Sequence, residues 1–356
     1  MKKIIGFIML AVMCVSFAGC GSKEEAKVFD TSKEIAVILY DNDEYNSSVK
    51  DSFAENLNKA YTAQKLNISV KNAKGDDNEL EKIVSKISPE NTLFAVPVGI
   101  EAARAAYKSF GGQIPIFFAN VANPVLEGFM ADKSTPSNIT GVLSTVPANY
   151  VFNNFLNSIG SSSVGHIGII FNTSEITPME STNDFKRYLD LNSYYYTESV
   201  VSNTLEAQQA ASKMAYKASS GSSVVGENVS ADGAASKKYE NRQDGANMLY
   251  LSDDSVVRGS VKEIAHALAG SDFYVYVSNP EDIVGKNFVS LKPTSASMGK
   301  NLADMVSQYL NGTSIQLLPC RTADEFDEFA YLDKSASSEN TNTQDNNAQN
   351  STKQNQ

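Results

Sequence analysis

Hydrophobic residues along the chain follow two spacings, one typical of buried strands and one typical of amphipathic helices. Continuous apolar runs such as Ile35–Tyr40 and Val164–Phe171 are typical of strands that are covered on both faces. After the first of these runs, Phe53 and Leu57 recur at helical spacing. Strands that alternate with helices in this way predict parallel α/β sheets with helices on both faces.

The alternation occurs twice, which predicts two lobes, each a doubly wound parallel sheet. In the first lobe we expect strands at Ile35–Tyr40, Leu66–Asn72, Thr92–Val98, Ile114–Ala119 and Asn138–Ser144, and helices at Val49–Ala63, Asn78–Ile87 and Ile100–Phe110. In the second we expect strands at Val164–Phe171, Tyr194–Val201, Asn247–Ser252, Phe273–Ser278 and Asn287–Pro293, and helices at Tyr150–Ile159, Met179–Leu189, Leu205–Ala218, Val256–Leu268 and Met298–Leu310. A short further helix is expected to begin at Pro124.

Two lobes whose strand ends face a shared crevice predict a hinge and a central ligand cleft. We place the N-terminal lobe at residues 34–146, with a return segment at about 279–293. The C-terminal lobe then comprises residues 147–278 together with 294–334. The chain is expected to cross between the lobes near Pro147, near Ser278 and near Pro293.

Two polar segments are expected to lie outside the packed lobes. Residues 219–244 are rich in Gly, Ser, Lys and Asn, which predicts an exposed loop insertion. Residues 335–356 contain no large apolar residue, so burial cannot offset the entropy of ordering them, and we expect a disordered tail.

The first twenty residues predict export and lipidation. Two lysines precede the apolar run Ile4–Ala18, which is too short to span a membrane and is typical of a secretory signal at residues 1–19. The stretch from Phe17 to Cys20 resembles the lipobox of bacterial lipoproteins, which implies cleavage before Cys20 and a diacylglycerol on its sulfur. The protein would then be extracytoplasmic and anchored to the cell membrane through the tether 20–33. A secreted protein with an incidental cysteine is the alternative.

Composition and the chemically active residue types exclude several classes of function. The chain has 356 residues and a formal net charge of −11 without a basic patch, which disfavours nucleic-acid binding. Once Cys20 and the signal are accounted for, only Cys320 remains, so no internal disulfide and no metal-ligand spacing is expected. His166 and His266 are isolated, and there is no GxSxG nucleophile motif. We therefore expect no catalytic residues, no metal and no cofactor.

A resemblance to a known family rests on three ordered motifs. The first motif is IPIFFANVANPVLEGFM at Ile114–Met130 together with NITGV at Asn138–Val142. The second is IGIIFNTSE at Ile167–Glu175, and the third is LYLSDDSVV at Leu249–Val257. In this order they resemble the ABC-transporter substrate-binding lipoproteins of the tryptophan/tyrosine-binding type, over about Ile35 to Asn311.

This resemblance implies a type I periplasmic-binding-protein fold and a function in solute import. The implied solute is small, an amino acid and in particular an aromatic one. The implied partner is a membrane ABC permease driven by a separate ATPase. The chain itself has no GxxxxGK[ST] loop and cannot be that ATPase.

The family's ligand contacts lie in the loops after strands, and mapping those loops onto this chain names candidate ligand-binding residues. In the first lobe they are Asn42, Tyr45, Gly99, Ile100, Glu101, Asn120 and Asn123. In the second they are Asn172, Thr173, Ser174, Glu175, Asp253, Asp254, Ser255, Ser278 and Asn279. Free backbone N–H groups at the helix start after Gly99 could receive a carboxylate, and Asp253 or Asp254 would suit an ammonium group.

Each of these loops also has a purely structural explanation. Asn120 and Asn123 could cap a helix beginning at Pro124. The run Asp253-Asp254-Ser255 could cap the helix that follows it, and Glu175 could simply complement a helix dipole.

Two other functions are weighed against solute import. A sensor or scaffold lipoprotein would keep the fold without feeding a transporter, and the presence or absence of a partner permease distinguishes it. An extracellular hydrolase is disfavoured because no nucleophile and base occur together in a recognisable motif.

Overall fold

The structure is a computed structural model that describes residues 29–30, 32–158, 164–219 and 246–330. The predicted signal, the lipidation site Cys20 and the predicted disordered tail lie outside the described residues, as does nearly all of the predicted insertion. No helix among the described residues is long and apolar enough to cross a membrane.

Two six-stranded sheets form the centre of the molecule, one in each lobe. The first contains β1 (Glu34–Leu39), β2 (Ile68–Asn72), β3 (Thr92–Val98), β4 (Ile116–Val121), β5 (Ile139–Leu143) and β11 (Arg321–Thr322), in the order β11-β5-β4-β3-β1-β2. The second contains β6 (Val164–Phe171), β7 (Thr197–Val200), β8 (Ala246–Leu251), β9 (Phe273–Tyr276), β10 (Phe288–Pro293) and β12 (Phe326–Ala330), in the order β12-β10-β9-β8-β6-β7. Every described strand pair is parallel except β10 with β12, so the predicted fold class is confirmed.

Helices cover both faces of each sheet. The first lobe contains α1 (Glu44–Ala60), α2 (Asp77–Ser85), α3 (Ile100–Phe110) and α9 (Ser295–Leu310). The second contains α4 (Ala148–Ser158), α5 (Ile176–Leu191), α6 (Thr204–Ser219), α7 (Ser255–Arg258) and α8 (Val261–Ala267). Short 3-10 helices lie at Pro280–Asp282 and Ile315–Leu317.

Strand β1 shows why its sequence is a continuous apolar run. Ile35, Val37 and Leu39 pack into the core on the side of α1 and α9. Ala36 and Ile38 point the other way, into the core on the side of α2 and α3. Because successive side chains of a strand face opposite sides, a strand covered on both sides has no position for a polar residue.

The predicted return of residues 279–293 to the N-terminal lobe is wrong. Within that segment, β10 pairs with β9 and β12 and therefore belongs to the second sheet. The segment that returns is α9, whose Met298, Leu302 and Val306 lie in the core of the first lobe. The apolar run of β10 would suit either sheet, and only its partner strands decide between them.

The predicted C-terminal lobe is wrong for most of residues 294–334 for the same reason. In the described part of that stretch, residues 294–330, only β12 pairs in the second sheet, whereas α9 and β11 belong to the first lobe. Within the described residues the chain therefore crosses between the lobes between β5 and α4, between β10 and α9, and between β11 and β12. The expected crossing near Ser278 is absent, because β9 and β10 are neighbours in one sheet.

Two predicted helices differ from the structure. The helix predicted at Val256–Leu268 is divided into α7 and α8, because the chain turns at Gly259 and Ser260. After Pro124 there is a series of turns and no helix. Gly128 lies in this segment at φ 72°, outside the helical region, so a helix cannot continue through it.

Hydrogen bonds join the second and third crossings into one hinge. The Thr294 backbone N–H donates to the Glu325 carbonyl at 3.0 Å, and the Asp324 N–H donates to Ser297 Oγ at 3.0 Å. The Asn301 side chain donates to the Thr322 carbonyl at 3.0 Å. The start of α9 and the β11–β12 connection therefore form one unit beside the cleft.

Helix α9 packs on α1 too closely for a side chain at Gly299. A Cβ atom built there would lie 2.5 Å from the Val49 carbonyl oxygen and 2.7 Å from the Phe53 nitrogen. Ser52 Oγ donates to the Ala296 carbonyl at 2.8 Å in the same contact. This contact holds α9 against the first lobe, which the chain left after β5.

We expect Gly299→Ala to destabilise the protein by about 1–3 kcal/mol, because the added methyl group must push α9 away from α1. Helix propensity alone would give the opposite sign, a gain of up to about 1 kcal/mol. Urea unfolding measures the difference, with Lys300→Ala on the exposed side of α9 as the control. A stabilised Gly299→Ala variant would contradict the close packing.

Candidate ligand-binding cleft

A cleft of about 590 Å³ lies between the lobes, beside the hinge. From the first lobe and the crossings it is lined by Ala122, Lys133, Leu143, Ser144, Thr145, Val146, Pro147, Pro293 and Thr322. From the second lobe it is lined by Ala148, Val151, Thr177, Pro178, Glu180, Ser181, Asp184, Phe185, Tyr250, Asp253, Tyr276, Ser278, Asn279, Pro280, Leu291 and Lys292. These residues include the carboxyl ends of β5, β8, β9 and β10, the edge at which open parallel sheets bind ligands.

Three stacked aromatic rings support the second-lobe wall of this cleft. The Phe185 and Tyr250 ring centroids are 4.5 Å apart at 15°, and those of Tyr250 and Tyr276 are 5.6 Å apart at 11°. All three side chains are buried, so only their edges reach the cleft. Burial raises the pKa of both tyrosine hydroxyls, which keeps them neutral. This wall therefore combines closely packed aromatic rings and their phenol groups with polar residues such as Ser181 and Asp184.

Asp253 places a carboxylate in the cleft wall just after β8. Its nearest cation is Arg258, with Nε at 3.4 Å, and Arg258 is also bound by Asp282 at 2.9 Å. Partial burial in the cleft wall, reinforced by the carboxylates of Asp282 and Glu175, raises the pKa of Asp253, and Arg258 opposes this only in part. The Asp253 carboxylate is thus incompletely compensated, and a cation entering the cleft would stabilise it.

The neighbouring residue, Asp254, has a structural role. Its side chain is fully buried, one oxygen accepts from the Val257 N–H at 2.9 Å and the other accepts from the Asn172 N–H at 2.9 Å. The first bond caps α7, and the second ties the loop after β6 to the loop after β8. Of the two aspartates considered for an ammonium group, only Asp253 faces the cleft.

The predicted loop after β6 is held by its own hydrogen bonds and lies outside the cleft wall. Asn172 Nδ2 donates to the Val201 carbonyl at 2.6 Å, and Asn172 Oδ1 accepts from the Ser174 N–H at 2.7 Å. Glu175 accepts from the Ser255 N–H at 2.8 Å, and its hydrogen bonds to Ser255 lower the pKa of Glu175. None of the candidates in this region lines the cleft, namely Asn172, Thr173, Ser174, Glu175 and Ser255.

Asn123 joins the two lobes. Its Nδ2 donates to Glu180 Oε2 at 2.9 Å and lies 3.4 Å from Thr177 Oγ1, both on α5. Its Oδ1 accepts from the Leu126 N–H at 3.1 Å, which caps the following turn. Lys133 Nζ lies 3.3 Å from the same Glu180 oxygen. The Asn123 side chain thus caps a turn and also contacts the second lobe, although Asn123 does not line the cleft.

The other first-lobe candidates form a separate cluster or lie at the hinge. Asn120 has a φ of 59°, and its Nδ2 donates to Asn46 Oδ1 at 2.8 Å. Gly99, at φ 93°, lies against the same Asn46 side chain, and Tyr45 donates to the Pro293 carbonyl at 2.8 Å. Asn42, Tyr45, Gly99, Ile100, Glu101 and Asn120 are all absent from the cleft wall. A ligand carboxylate bound by the free N–H groups after Gly99 would therefore lie outside the cleft that Asp253 lines.

Of the sequence-predicted candidates, the cleft brings together Asp253, Ser278 and Asn279. Sequence reasoning missed the contribution of α5, which supplies Thr177, Pro178, Glu180, Ser181, Asp184 and Phe185. It also missed Tyr250, Tyr276, Lys133 and Lys292. The two tyrosines stand inside apolar runs that are indistinguishable from ordinary core strands.

The isolated histidine and cysteine of the sequence analysis do not form part of the cleft. His166 lies near the amino end of β6, where its Nε2 is 3.0 Å from Thr197 Oγ1. Cys320 is a free cysteine, and burial raises the pKa of its thiol. Among the described residues, no group of three or more His, Cys, Asp or Glu side chains could hold a metal ion.

Comparison with known proteins establishes the family. The sequence model of the family described as "ABC transporter substrate binding protein" matches residues 34–269. This span is more than half of the chain, so the chain belongs to that family. It is a solute-binding protein of an ABC transporter and not an enzyme.

Two individual relatives share less than a quarter of their aligned residues with this chain. A curated tyrosine-binding protein from Clostridioides difficile is 22% identical, with the match covering 91% of this chain and 88% of that protein. A ligand-free, open structure of a substrate-binding protein with adhesive properties from Clostridium difficile is 19% identical. It covers 84% of this chain and 92% of its own, with a TM-score of 0.60, which shows a common fold.

We expect Asp254→Ala to lower the free energy of unfolding by about 2–4 kcal/mol, because two buried N–H groups lose a charged acceptor. Asp253→Ala is the matched control one residue away, and we expect its stability to stay within about 1 kcal/mol of the parent protein because its ion pair is half exposed. Urea unfolding of the two variants compares them. Equal stability losses would contradict the division of roles between the two aspartates.

Proposed function

We propose that this protein captures an amino acid with an aromatic side chain in the inter-lobe cleft and delivers it to an ABC permease driven by a separate ATPase. One observation carries the proposal: Asp253 places an incompletely compensated carboxylate beside a wall built on stacked aromatic rings. That pairing suits a ligand with an ammonium group next to a large apolar group.

The electrostatics of Asp253 support an ammonium ligand. Arg258 is shared with Asp282, so the Asp253 carboxylate lacks a partner of its own. A bound ammonium would supply the missing charge and lower the raised pKa of Asp253. The stabilisation gained on binding would therefore be larger than for a carboxylate already neutralised by the protein.

The apolar part of the cleft supports an aromatic side chain. Leu143, Val146 and Val151 face the cleft together with the edges of Tyr250 and Tyr276. Edge-to-face contacts between rings are favourable, and buried tyrosines already stacked in the core lose little further freedom when a ring packs on them. The distant relative from C. difficile is named a tyrosine-binding protein, which agrees with this class of solute.

Capture would couple to lobe closure. Asn123 and Lys133 of the first lobe contact Glu180 of the second, and these contacts require the lobes to be close together. A solute that touches both lobes favours the closed arrangement through its differential affinity for it. We propose that the permease recognises this closed form.

We expect Asp253→Asn to weaken binding of an aromatic amino acid by about 10–100-fold, because the neutral amide cannot compensate an ammonium charge. In the parent protein, affinity should fall as the pH drops through the raised pKa of Asp253, since protonation removes the carboxylate. Asp253→Asn should lose most of this pH dependence. Titration calorimetry across the acidic range measures both effects.

The same variant should leave the ligand-free protein at least as stable at neutral pH, because a carboxylate with a raised pKa destabilises the folded state once it is ionised. Asp272→Asn, which neutralises an exposed carboxylate of the same lobe outside the cleft wall, is the matched control and should leave binding and its pH dependence unchanged. Undiminished amino-acid affinity in Asp253→Asn would contradict the proposed role. Absence of binding to all twenty amino acids in the parent protein would favour the sensor or scaffold function.

We also propose that Cys20 carries a lipid that anchors the protein to the outer face of the cell membrane. The lipobox-like stretch that ends at Cys20 supports this. Growth with a radiolabelled fatty acid should label the parent protein and not Cys20→Ser, because the lipid on Cys20 carries the acyl chains. Cys320→Ser is the matched control and should be labelled like the parent protein. An unlabelled parent protein, or a labelled Cys20→Ser variant, would refute the anchor.

A further inference from the structure

The cleft contains two lysines whose surroundings differ. Lys133 Nζ lies 3.3 Å from Glu180, so its charge is paired across the lobes. Lys292, the exposed residue of β10, is not within ion-pairing distance of any carboxylate in the described part of the chain. Asp327 is its partner in the β10–β12 register, but the two side chains form no ion pair.

Lys292 is held by an aromatic ring. Its Nζ lies 4.2 Å from the centroid of the Tyr45 ring, and Tyr45 in turn donates to the Pro293 carbonyl at 2.8 Å. A ring face attracts and orients an ammonium group but carries no net charge to neutralise it. Because Tyr45 belongs to α1 and Lys292 to β10, this contact also joins the two lobes at the hinge.

Closure of the cleft makes an unneutralised ammonium costly, since water is excluded from around it. An anion supplied by the ligand would remove that cost. Lys292 is the penultimate residue of β10 and Asp253 follows β8, and these strands flank β9. Their backbones are therefore about 10 Å apart, and side chains reaching inward from both could contact the two ends of one small dipolar ligand.

We propose that Lys292 binds the carboxylate of the solute, so that the cleft selects amino acids with a free α-carboxylate over their amides and over the corresponding amines. The inference rests on the proposed function, in which Asp253 receives the ammonium. The inference adds Lys292 as the residue that binds the carboxylate at the other end of the ligand. Lys133, already paired with Glu180, contributes to closure and not to recognition of the carboxylate.

The test compares L-tyrosine with L-tyrosinamide, which keeps the ring and the amino group but lacks the carboxylate. Titration calorimetry of the purified parent protein and of Lys292→Met gives the change in the ratio of the two affinities, so that differences in protonation between the ligands cancel. We expect Lys292→Met to weaken L-tyrosine binding by about 10–100-fold more than L-tyrosinamide binding, because loss of the Tyr45 contact at the hinge affects both ligands equally and cancels in the ratio. Lys292→Arg should retain most of the preference for the carboxylate.

Lys133→Met is the matched control in the same cleft. It should weaken both ligands by the same factor, because it removes a contact between the lobes and not one to the carboxylate. Equal weakening of both ligands by Lys292→Met would show a hinge contact only and overturn the inference, as would unchanged binding of both. The pairs phenylalanine and phenylalaninamide, and leucine and leucinamide, repeat the comparison. If no amino acid binds the parent protein, the proposed function fails and this inference fails with it.

Discussion

The packing of α9 on α1 is the contact on which the rest of the structure depends. The chain leaves the first lobe after β5, builds five strands of the second sheet, and then completes the core of the first lobe with Met298, Leu302 and Val306. Gly299 permits this approach because no side chain fits between the two helices. Each lobe thus contains segments distant in sequence, so neither can move away from the other, and the crossings restrict relative motion to a hinge beside the cleft.

Around that hinge, polar residues divide between holding loops and facing the cleft. Asp253 and Asp254 are adjacent in sequence, yet Asp254 is fully buried under two backbone N–H groups whereas Asp253 faces the cleft. The buried aspartate fixes the loop, and the fixed loop sets the position of the exposed one. The Asp253 carboxylate can remain incompletely compensated because the hydrogen bonds that hold this loop are made by Asp254.

The aromatic wall is likewise a part of the core that also faces the ligand. Phe185, Tyr250 and Tyr276 stack within the second lobe, and the same rings limit the cleft. Side chains already held by close packing do not need to be ordered when a ligand arrives, which reduces the entropic cost of binding. The Tyr45 ring has a similar position at the hinge, where it orients Lys292 and donates to Pro293.

The sequence by itself determined the two parallel α/β lobes and most helix and strand positions, because buried strands and amphipathic helices leave period-specific apolar patterns. The family was indicated separately, by the resemblance of three ordered motifs. It also identified the loops after β8 and β9, which contain Asp253, Ser278 and Asn279. Only the tertiary structure decided that β10 belongs to the second sheet and α9 to the first lobe, since an apolar run does not specify its partner. The same holds for the roles of Asp254, Tyr250 and Lys292. A residue's type and spacing are local properties, whereas the direction of its side chain and the groups that satisfy it depend on segments brought together from distant parts of the chain.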